Sequence, residues 1–335
     1  MKITFFEIQG WETPLLKNAL KNHSLKFIKE PLSIKNIKEA ENSEIISIFI
    51  YSQINEAILA KLPKLRYITT RSMGFDHINS EACKKANILV SNTPHYGDNS
   101  VAEHAFGLIL SLSRNIHKAY VRNINENHEI EGLKGFDLKG KTIGVIGTGR
   151  IGNNVIEIAK GFKMNILAND HHPNKLLAKK LGFEYVSLAK LFKESDIVTL
   201  HVPYSKENHH LISKKVLKSM KPHALLINTA RGQLVDTLAL MSALKKGEIG
   251  GAGIDVIEGE ELIKEEKELL HSHKKINTQK MHQLALDHKI IKNEKVVFTP
   301  HIAFYSEEAV QRIIEVTIEN ILSFSKNNPI NVVKL

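Results

Sequence analysis

The amino-acid sequence predicts an α/β protein built on a doubly wound parallel sheet. Short apolar runs alternate with longer amphipathic ones along the 335 residues, as in parallel sheets joined by crossover helices. One apolar run leads through a G-x-G-x-x-G pattern into a helical pattern, which is typical of a nucleotide-binding turn. Polar side chains follow the ends of later apolar runs, where open α/β sheets place their ligand sites. The chain length predicts two domains.

Apolar runs place the strands and amphipathic runs place the helices. Strands are predicted at 3–8, 45–51, 67–70, 88–90, 142–146, 165–168, 197–200, 225–228, 253–256 and 296–298. Helices are predicted at 14–22, 100–120 and 151–161. The polar, glycine-bearing stretch 123–140 predicts a domain junction before or within it.

The charged segment 260–294 predicts a helical insertion with a solvated surface. Its histidines show no spacing typical of a metal site: His271, His273, His282 and His288. We therefore expect no metal.

The formal charge of +10 comes mostly from scattered lysines with acidic residues among them. This distribution predicts a solvated surface that attracts small anionic ligands, and no nucleic-acid partner. The single cysteine, Cys83, excludes an internal disulfide and lies in a polar helical pattern. The first apolar run is broken at Glu7, so the sequence predicts neither a signal peptide nor a membrane span, and a cytoplasmic location.

The glycine pattern in KTIGVIGTGRIG consists of Gly147, Gly149 and Gly152. The next apolar run ends at Asp170, at the distance where a carboxylate holds a ribose 2′-hydroxyl. That charge would repel a 2′-phosphate, so the pattern predicts NAD in preference to NADP. The alternative is a glycine turn with an incidental surface aspartate.

Three later strand ends carry an arginine, a carboxylate and a histidine: Arg231, Glu260 and His301. Singly, each has an ordinary structural explanation, as a surface ion-pair partner, a member of a charged run or a turn residue. Together they fit hydride transfer to a carbonyl group. The arginine would bind a substrate carboxylate, and the histidine, oriented by the glutamate, would exchange a proton.

Nearly end to end, the sequence resembles the D-isomer-specific 2-hydroxyacid dehydrogenases, through NTARG, DVIEGE and TPH as well as the glycine turn. The resemblance implies an NAD domain at 100–304, inserted into a smaller, discontinuous, flavodoxin-like substrate domain at 1–99 and 305–335. It gives the catalytic roles to Arg231, Glu260 and His301. It implies these nucleotide contacts: Gly147, Gly149, Arg150, Ile151, Gly152, Asp170, Val202, Pro203, Asn208, Thr229, Ala230 and Asp255.

Three further stretches, TTRSMGFDHI, NTPHYGDNSVAEH and TPHIAFYSEEA, resemble the D-lactate dehydrogenase branch, including its vancomycin-resistance type. This implies pyruvate as the substrate, bound near Met73, Gly74, Tyr96 and Phe304. The stretch SVAEHAFGLILSLSRNIHKA is similar to the family's interdomain and dimer helix, which implies a homodimer. Two alternatives stay open: a dehydrogenase of a bulkier or phosphorylated hydroxy acid, and a non-catalytic NADH-sensing protein similar to corepressors of this fold.

Overall fold

A computed structural model describes residues 1–260 and 278–334. They divide into two compact units, Met1–Tyr96 with Tyr305–Leu335, and Gly97–Phe304. The larger unit is therefore an insertion in the smaller one. The first division precedes the expected 99/100 boundary because a helix already begins at Asp98. The polar stretch 123–140 lies inside the larger unit, after this division.

The smaller unit is a parallel five-stranded sheet with helices. Its strand order is β2-β1-β3-β4-β5, the flavodoxin-like order. Alternate residues of each strand face opposite sides, so the neighbours Ile45 and Ile46 belong to two separate apolar clusters. The strands are β1 (Lys2–Phe5), β2 (Ser24–Phe27), β3 (Ile45–Ile48), β4 (Tyr67–Thr70) and β5 (Leu89–Ser91). The helices are α1 (Glu12–Ala19), α2 (Glu56–Leu59), α3 (Ser80–Lys85) and α12 (Glu307–Ser325).

The larger unit is a parallel seven-stranded sheet in the order β12-β11-β10-β9-β6-β7-β8. The chain runs outward from β6 to β8 and then returns to the other side of β6 at β9. The strand order therefore reverses between β6 and β9, where doubly wound sheets bind ligands. The strands are β6 (Thr142–Ile146), β7 (Asn165–Asn169), β8 (Glu184–Tyr185), β9 (Ile197–Leu200), β10 (Leu225–Asn228), β11 (Gly251–Ile254) and β12 (Val296–Phe298).

Helices of the larger unit pack on both faces of this sheet and complete two apolar clusters. They are α4 (Asp98–Ser113), α5 (Ile116–Ile124), α6 (Arg150–Gly161), α7 (Lys175–Leu181), α8 (Leu188–Glu194), α9 (Lys214–Ser219), α10 (Thr237–Lys246) and α11 (Thr278–Ile291). The expected helix in 260–294 is confirmed for α11. Residues 261–277, with His271 and His273, lie outside the described residues, as does the side chain of His282.

One expectation from the sequence was wrong, and two strands were missed. The single helix expected at 100–120 is two helices, because Asn115 takes a left-handed conformation with φ 53° between α4 and α5. The strands β2 and β8 were not expected at all.

The lone cysteine, Cys83, lies on α3 of the smaller unit and is fully buried. Its burial raises the pKa of the thiol to about 11. Such a thiol is almost entirely protonated at neutral pH, so it is a packing residue in the folded state.

In the part of the chain that the structure describes, we find no helix with the length and apolar character needed to cross a bilayer.

Candidate active site

The glycine turn between β6 and α6 has three glycines with three different surroundings. Gly147 has φ 91°, and a Cβ there would lie 2.5 Å from the carbonyl oxygen of His201. A Cβ on Gly152 would lie 2.0 Å from the carbonyl oxygen of Gly147. Gly149, by contrast, has no heavy atom within 4 Å of its Cβ position. The fold itself therefore requires Gly147 and Gly152, while Gly149 leaves open space at the N-terminus of α6, where a pyrophosphate would bind.

The two residues after Gly149 begin α6. The Arg150 guanidinium donates from Nε to the carboxylate of Asp98 on α4. Ile151 is half-buried and packs against the apolar cluster beneath the turn. The turn is thus tied both to α4 and to the core.

Asp170 follows β7 with its carboxylate turned back to the glycine turn. Oδ2 accepts from the Thr148 backbone N–H at 2.6 Å and from its hydroxyl at 3.0 Å, while Oδ1 accepts from the His172 N–H at 2.8 Å. Partial burial acts to raise the pKa of Asp170, but the hydrogen bonds from His172 and Thr148 outweigh it and hold the pKa below its ordinary value. The carboxylate is therefore ionised at neutral pH. It keeps acceptor capacity for a ribose hydroxyl, because each oxygen has two lone pairs.

The loop after β9 carries Val202, Pro203 and Asn208. The Asn208 side chain accepts from the Ser205 N–H at 2.7 Å and donates to the Pro203 carbonyl at 2.8 Å. Asn208 therefore sets the shape of this loop.

After β10, the Thr229 hydroxyl is buried and has no hydrogen-bond partner among the described residues. The Ala230 N–H donates to the Asn228 side chain at 3.0 Å. A buried hydroxyl with an unmet hydrogen bond, open space at Gly149 and an ionised Asp170 together fit the nucleotide that the sequence predicts.

Arg231 is half-buried on the turn that follows. Its Nη1 donates to the Ala230 carbonyl at 2.8 Å, and its own carbonyl accepts from Asn228 Nδ2 at 2.8 Å. A Cβ on the next residue, Gly232, would lie 2.1 Å from the carbonyl carbon of Ile257. The turn that carries Arg231 is thus packed directly on the segment that leads to Glu260.

His301 and Glu260 form the pair that the sequence predicts. His301 Nδ1 lies 2.7 Å from Glu260 Oε1, and both side chains are about three-quarters buried, with exposures of 23% and 24%. An ionised carboxylate only accepts, so it selects the ring form with a proton on Nδ1. Among the described residues Nε2 of His301 has no hydrogen-bond partner, and this nitrogen can face a substrate.

The turn that carries His301 is held by Asp255, which is fully buried. Asp255 Oδ1 accepts from the Thr299 hydroxyl at 2.5 Å and the Ile302 N–H at 2.9 Å, and Oδ2 accepts from the Ala303 N–H at 2.8 Å. The backbone carbonyl of Asp255 accepts from the His301 N–H at 2.8 Å. Asp255 therefore positions the turn, while the nucleotide contact expected for it stays a prediction.

Sequence reasoning missed His104 on α4. Its Nε2 lies 2.9 Å from the Thr299 hydroxyl and 3.5 Å from Asp255 Oδ1. Its partner Thr299 is 195 positions away in the chain, and no local pattern around His104 indicates that contact.

Three of the expected substrate contacts belong to the smaller unit. Asn92 Nδ2 donates to the Met73 carbonyl at 2.7 Å, and the Ser72 hydroxyl donates to the Gly74 carbonyl at 2.6 Å. Arg312 Nε donates to the Tyr96 carbonyl at 2.8 Å. These three hydrogen bonds from side chains thus fix the backbone at the three expected contacts.

The fourth expected contact, Phe304, belongs to the larger unit and is half-buried. Its Cβ lies 3.4 Å from the position of a Cβ on Gly97. The substrate role of all four residues stays a prediction.

Known proteins are similar to this chain over most of its length. The model of the family described as D-isomer specific 2-hydroxyacid dehydrogenase, NAD binding domain, matches residues 106–303. The D-lactate dehydrogenase of Escherichia coli is 37% identical over 331 residues, which cover 97% of each chain. A D-specific alpha-keto acid dehydrogenase of Enterococcus faecium is 39% identical over 304 residues, covering 90% of this chain and 89% of that protein.

The structure is also similar to a solved one. The D-lactate dehydrogenase of Aquifex aeolicus, crystallised with NAD and lactic acid, superposes with a TM-score of 0.88 at 37% identity. The match covers 99% of this chain and 100% of that one.

Proposed function

Because this chain belongs to the D-isomer-specific 2-hydroxyacid dehydrogenase family and is an NAD-dependent enzyme of its D-lactate dehydrogenase branch, we propose that it reversibly reduces pyruvate to D-lactate. The observation that carries the proposal is the pair of His301 and Glu260, 2.7 Å apart beside the segment on which the Arg231 turn is packed. The A. aeolicus relative, crystallised with NAD and lactic acid, supports the choice of substrate.

Arg231 binds the substrate carboxylate, because its planar fork can form two parallel hydrogen bonds with the two oxygens. A cation there also polarises the neighbouring carbonyl group. The tight packing of Gly232 supports this role, since it fixes the turn that presents the guanidinium.

His301 donates a proton from Nε2 to the carbonyl oxygen as the carbonyl carbon is reduced, and it takes the proton back in the reverse direction. Glu260 stabilises the protonated ring and fixes its orientation through Nδ1. The bound nicotinamide supplies or accepts the hydride.

The nucleotide is held by groups at the carboxyl ends of β6, β7 and β10. The α6 N-terminus at Gly149 binds the pyrophosphate, Asp170 accepts from the ribose, and the Thr229 hydroxyl forms the hydrogen bond that it lacks among the described residues. The negative charge of Asp170 favours NADH over NADPH.

We propose pyruvate as the substrate, and not a larger acid, because the sequence resembles the D-lactate dehydrogenase branch. Phe304 stands where the phosphoglycerate branch usually has a small residue. With Met73, Gly74 and Tyr96 it is proposed to surround a small 2-oxo acid.

A first experiment measures NADH consumption by the purified protein with pyruvate, 2-oxobutyrate, phenylpyruvate, hydroxypyruvate and 3-phosphohydroxypyruvate, followed by chiral analysis of the product. We expect pyruvate to have the highest kcat/KM, to yield D-lactate, and to be reduced more slowly with NADPH. A higher kcat/KM for a bulkier or phosphorylated acid overturns the choice of substrate and leaves the residue roles standing.

The same experiment tests a non-catalytic NADH sensor. The close pair of His301 and Glu260 favours an enzyme, since a protein that only binds the nucleotide has no use for a proton donor. Tight NADH binding with no turnover of any acid in the panel would support the sensor.

We also propose that the protein is a homodimer located in the cytoplasm. Large apolar side chains of α5 are exposed along one face, at Ile116, Tyr120, Val121 and Ile124. A contiguous exposed stripe of this kind is typical of an interaction surface. It lies in and after the stretch that resembles the family's dimer helix.

A further inference from the structure

A cluster of metal-ligating side chains lies outside the residues assigned to the dehydrogenase reaction. It consists of His209 and His210, which follow the single helical turn Lys206–Asn208, and Glu258, which follows β11. Each offers one ligand atom, and the three atoms lie within 4.8 Å of one another. No other group of three histidine, cysteine or acidic side chains with this closeness occurs among the side chains that the structure describes.

Two of the three ligands are already in place. His210 Nε2 lies 3.0 Å from Glu258 Oε2, and both side chains are about one-third exposed. The His210 backbone N–H donates to the Gln233 carbonyl at 2.9 Å. The Glu258 carbonyl accepts from Gln283 Nε2 at 3.0 Å. Both backbones are thus held by contacts that do not use the ligand atoms.

The third ligand, His209, is exposed, and its ring stacks on that of His210 with centroids 3.9 Å apart. Two ligands of a tetrahedral zinc ion at about 2.05 Å are about 3.4 Å apart. The His210–Glu258 pair therefore needs to open by a few tenths of an ångström. His209 needs a rotation about its side-chain bonds, which exposed residues make within about nanoseconds.

We propose that His209, His210 and Glu258 bind one divalent transition-metal ion, with water in the remaining position. Two imidazoles and a carboxylate are ligands that suit Zn²⁺ and related borderline-soft cations. The ion takes the place of the proton on His210 Nε2, and the neutral ring then carries its proton on Nδ1. Protons compete with the ion for both imidazoles, so binding weakens as the pH falls.

The test uses the full-length protein, stripped with a chelator and titrated with Zn²⁺ in a calorimeter at pH 7.5. His209→Ala and Glu258→Gln remove one ligand or weaken it, and His128→Ala removes an exposed histidine outside the cluster. We expect the wild type and His128→Ala to bind one more Zn²⁺ than the other two variants, or to bind it at least about 100-fold more tightly. Melting temperatures without metal check that all four proteins are folded.

A second measurement identifies the ligands directly. Co²⁺ added in place of Zn²⁺ should give a visible absorption band in the wild type, and this band should be absent in both cluster variants and weaker at pH 6 than at pH 7.5. Identical stoichiometry, affinity and Co²⁺ spectra in the wild type and the cluster variants would overturn the proposal. In that case any zinc taken up is bound elsewhere in the chain.

Discussion

His301 has a backbone φ of 56°, in the left-handed region that residues other than glycine adopt uncommonly, although asparagine, aspartate and histidine do so more often than the rest. Such a conformation costs on the order of 1–2 kcal/mol. The buried carboxylate of Asp255 offsets this cost, since it accepts from the N–H groups of the two residues that follow His301. The turn therefore sets the direction of the ring at the expense of local stability.

Two substitutions of His301 distinguish the effect of its backbone conformation from the effect of its imidazole ring. His301→Asn tolerates φ above zero, whereas His301→Ala does not tolerate it well, and neither can exchange a proton as imidazole does. We expect both variants to lose about 10²- to 10⁴-fold in kcat. NADH binding, measured by fluorescence titration, should stay near that of the wild type. Near-normal turnover of His301→Asn would exclude the acid–base role.

A second residue, Asp196, links stability to pH. It is buried beside β9 and accepts from Lys221 Nζ at 2.8 Å, His223 Nε2 at 3.0 Å and the Thr142 N–H at 2.8 Å. Burial alone would raise its pKa, but these partners lower the pKa to about 2, below its ordinary value of 3.8. The carboxylate therefore stabilises the fold above pH 3.8, and this contribution is lost as the pH falls through 2.

For Asp196→Asn we expect the free energy of unfolding at pH 7 to fall by about 2 kcal/mol or more. The difference from the wild type should shrink by about 1 kcal/mol between pH 5 and pH 3, because the wild type loses the contribution that the variant lacks. Urea unfolding followed by circular dichroism measures both values. A difference that does not change with pH would rule out an ionised Asp196 as its source.

At the scale of elements, the glycine turn between β6 and α6 shows which positions serve the fold and which serve a ligand. Gly152→Ala would place a Cβ 2.0 Å from the Gly147 carbonyl oxygen, so we expect it to lower both the melting temperature and NADH affinity. Gly149→Ala meets nothing within 4 Å, and its φ of −68° suits alanine.

Gly149→Ala should therefore melt within about 2 °C of the wild type and bind NADH at least about tenfold more weakly, because its methyl group occupies the space meant for the pyrophosphate. Gly161→Ala at the end of α6 is the control, since its Cβ also meets nothing within 4 Å. Unchanged NADH affinity in Gly149→Ala would mean that the nucleotide does not approach this turn.

The sequence predicted the longer elements well because their side chains repeat with the period of the structure they form. The run 142–146 and the pattern 151–161 correspond closely to β6 and α6. β8 has two residues and β2 has four with partly exposed side chains, so neither shows a distinct apolar run. The break at Asn115 was missed because the apolar pattern continues across it, and one left-handed residue leaves little trace in a sequence.

The site was predictable to the same extent. His301 and Glu260 were expected together because both follow strands of one parallel sheet, and their 2.7 Å contact confirms that they meet. The contacts of Asp255 with the His301 turn, and of His104 with Thr299, join residues far apart in the chain. Only the fold brings these pairs together, and no spacing reveals them.

At the scale of the whole molecule, each unit has its own sheet and its own apolar clusters, while the chain passes from one unit to the other at 96/97 and at 304/305. Both units are parallel sheets whose strand order predicts a ligand edge. The insertion therefore adds a complete nucleotide-binding domain without interrupting the sheet order of the smaller unit.

Substitutions on the exposed face of α5 test the proposed homodimer. Tyr120→Glu with Ile124→Glu places two charges on a stripe whose side chains are 67% and 61% exposed, so we expect the fold to be kept and the dimer to dissociate. Sedimentation equilibrium should give the mass of two chains for the wild type and of one for the variant. Leu176→Glu on α7, also exposed, is the control and should stay dimeric. A wild type that sediments as a single chain would contradict the dimer.

The single buried cysteine gives the smaller unit its own kinetic reporter. Cys83 cannot react with an aromatic disulfide reagent while α3 is packed, and the chain has no other thiol. The labelling rate of the native protein therefore measures how often this part of the smaller unit opens, whatever the larger unit does. Comparing that rate with and without NADH would show whether nucleotide binding to the larger unit slows the local opening of the smaller unit around Cys83.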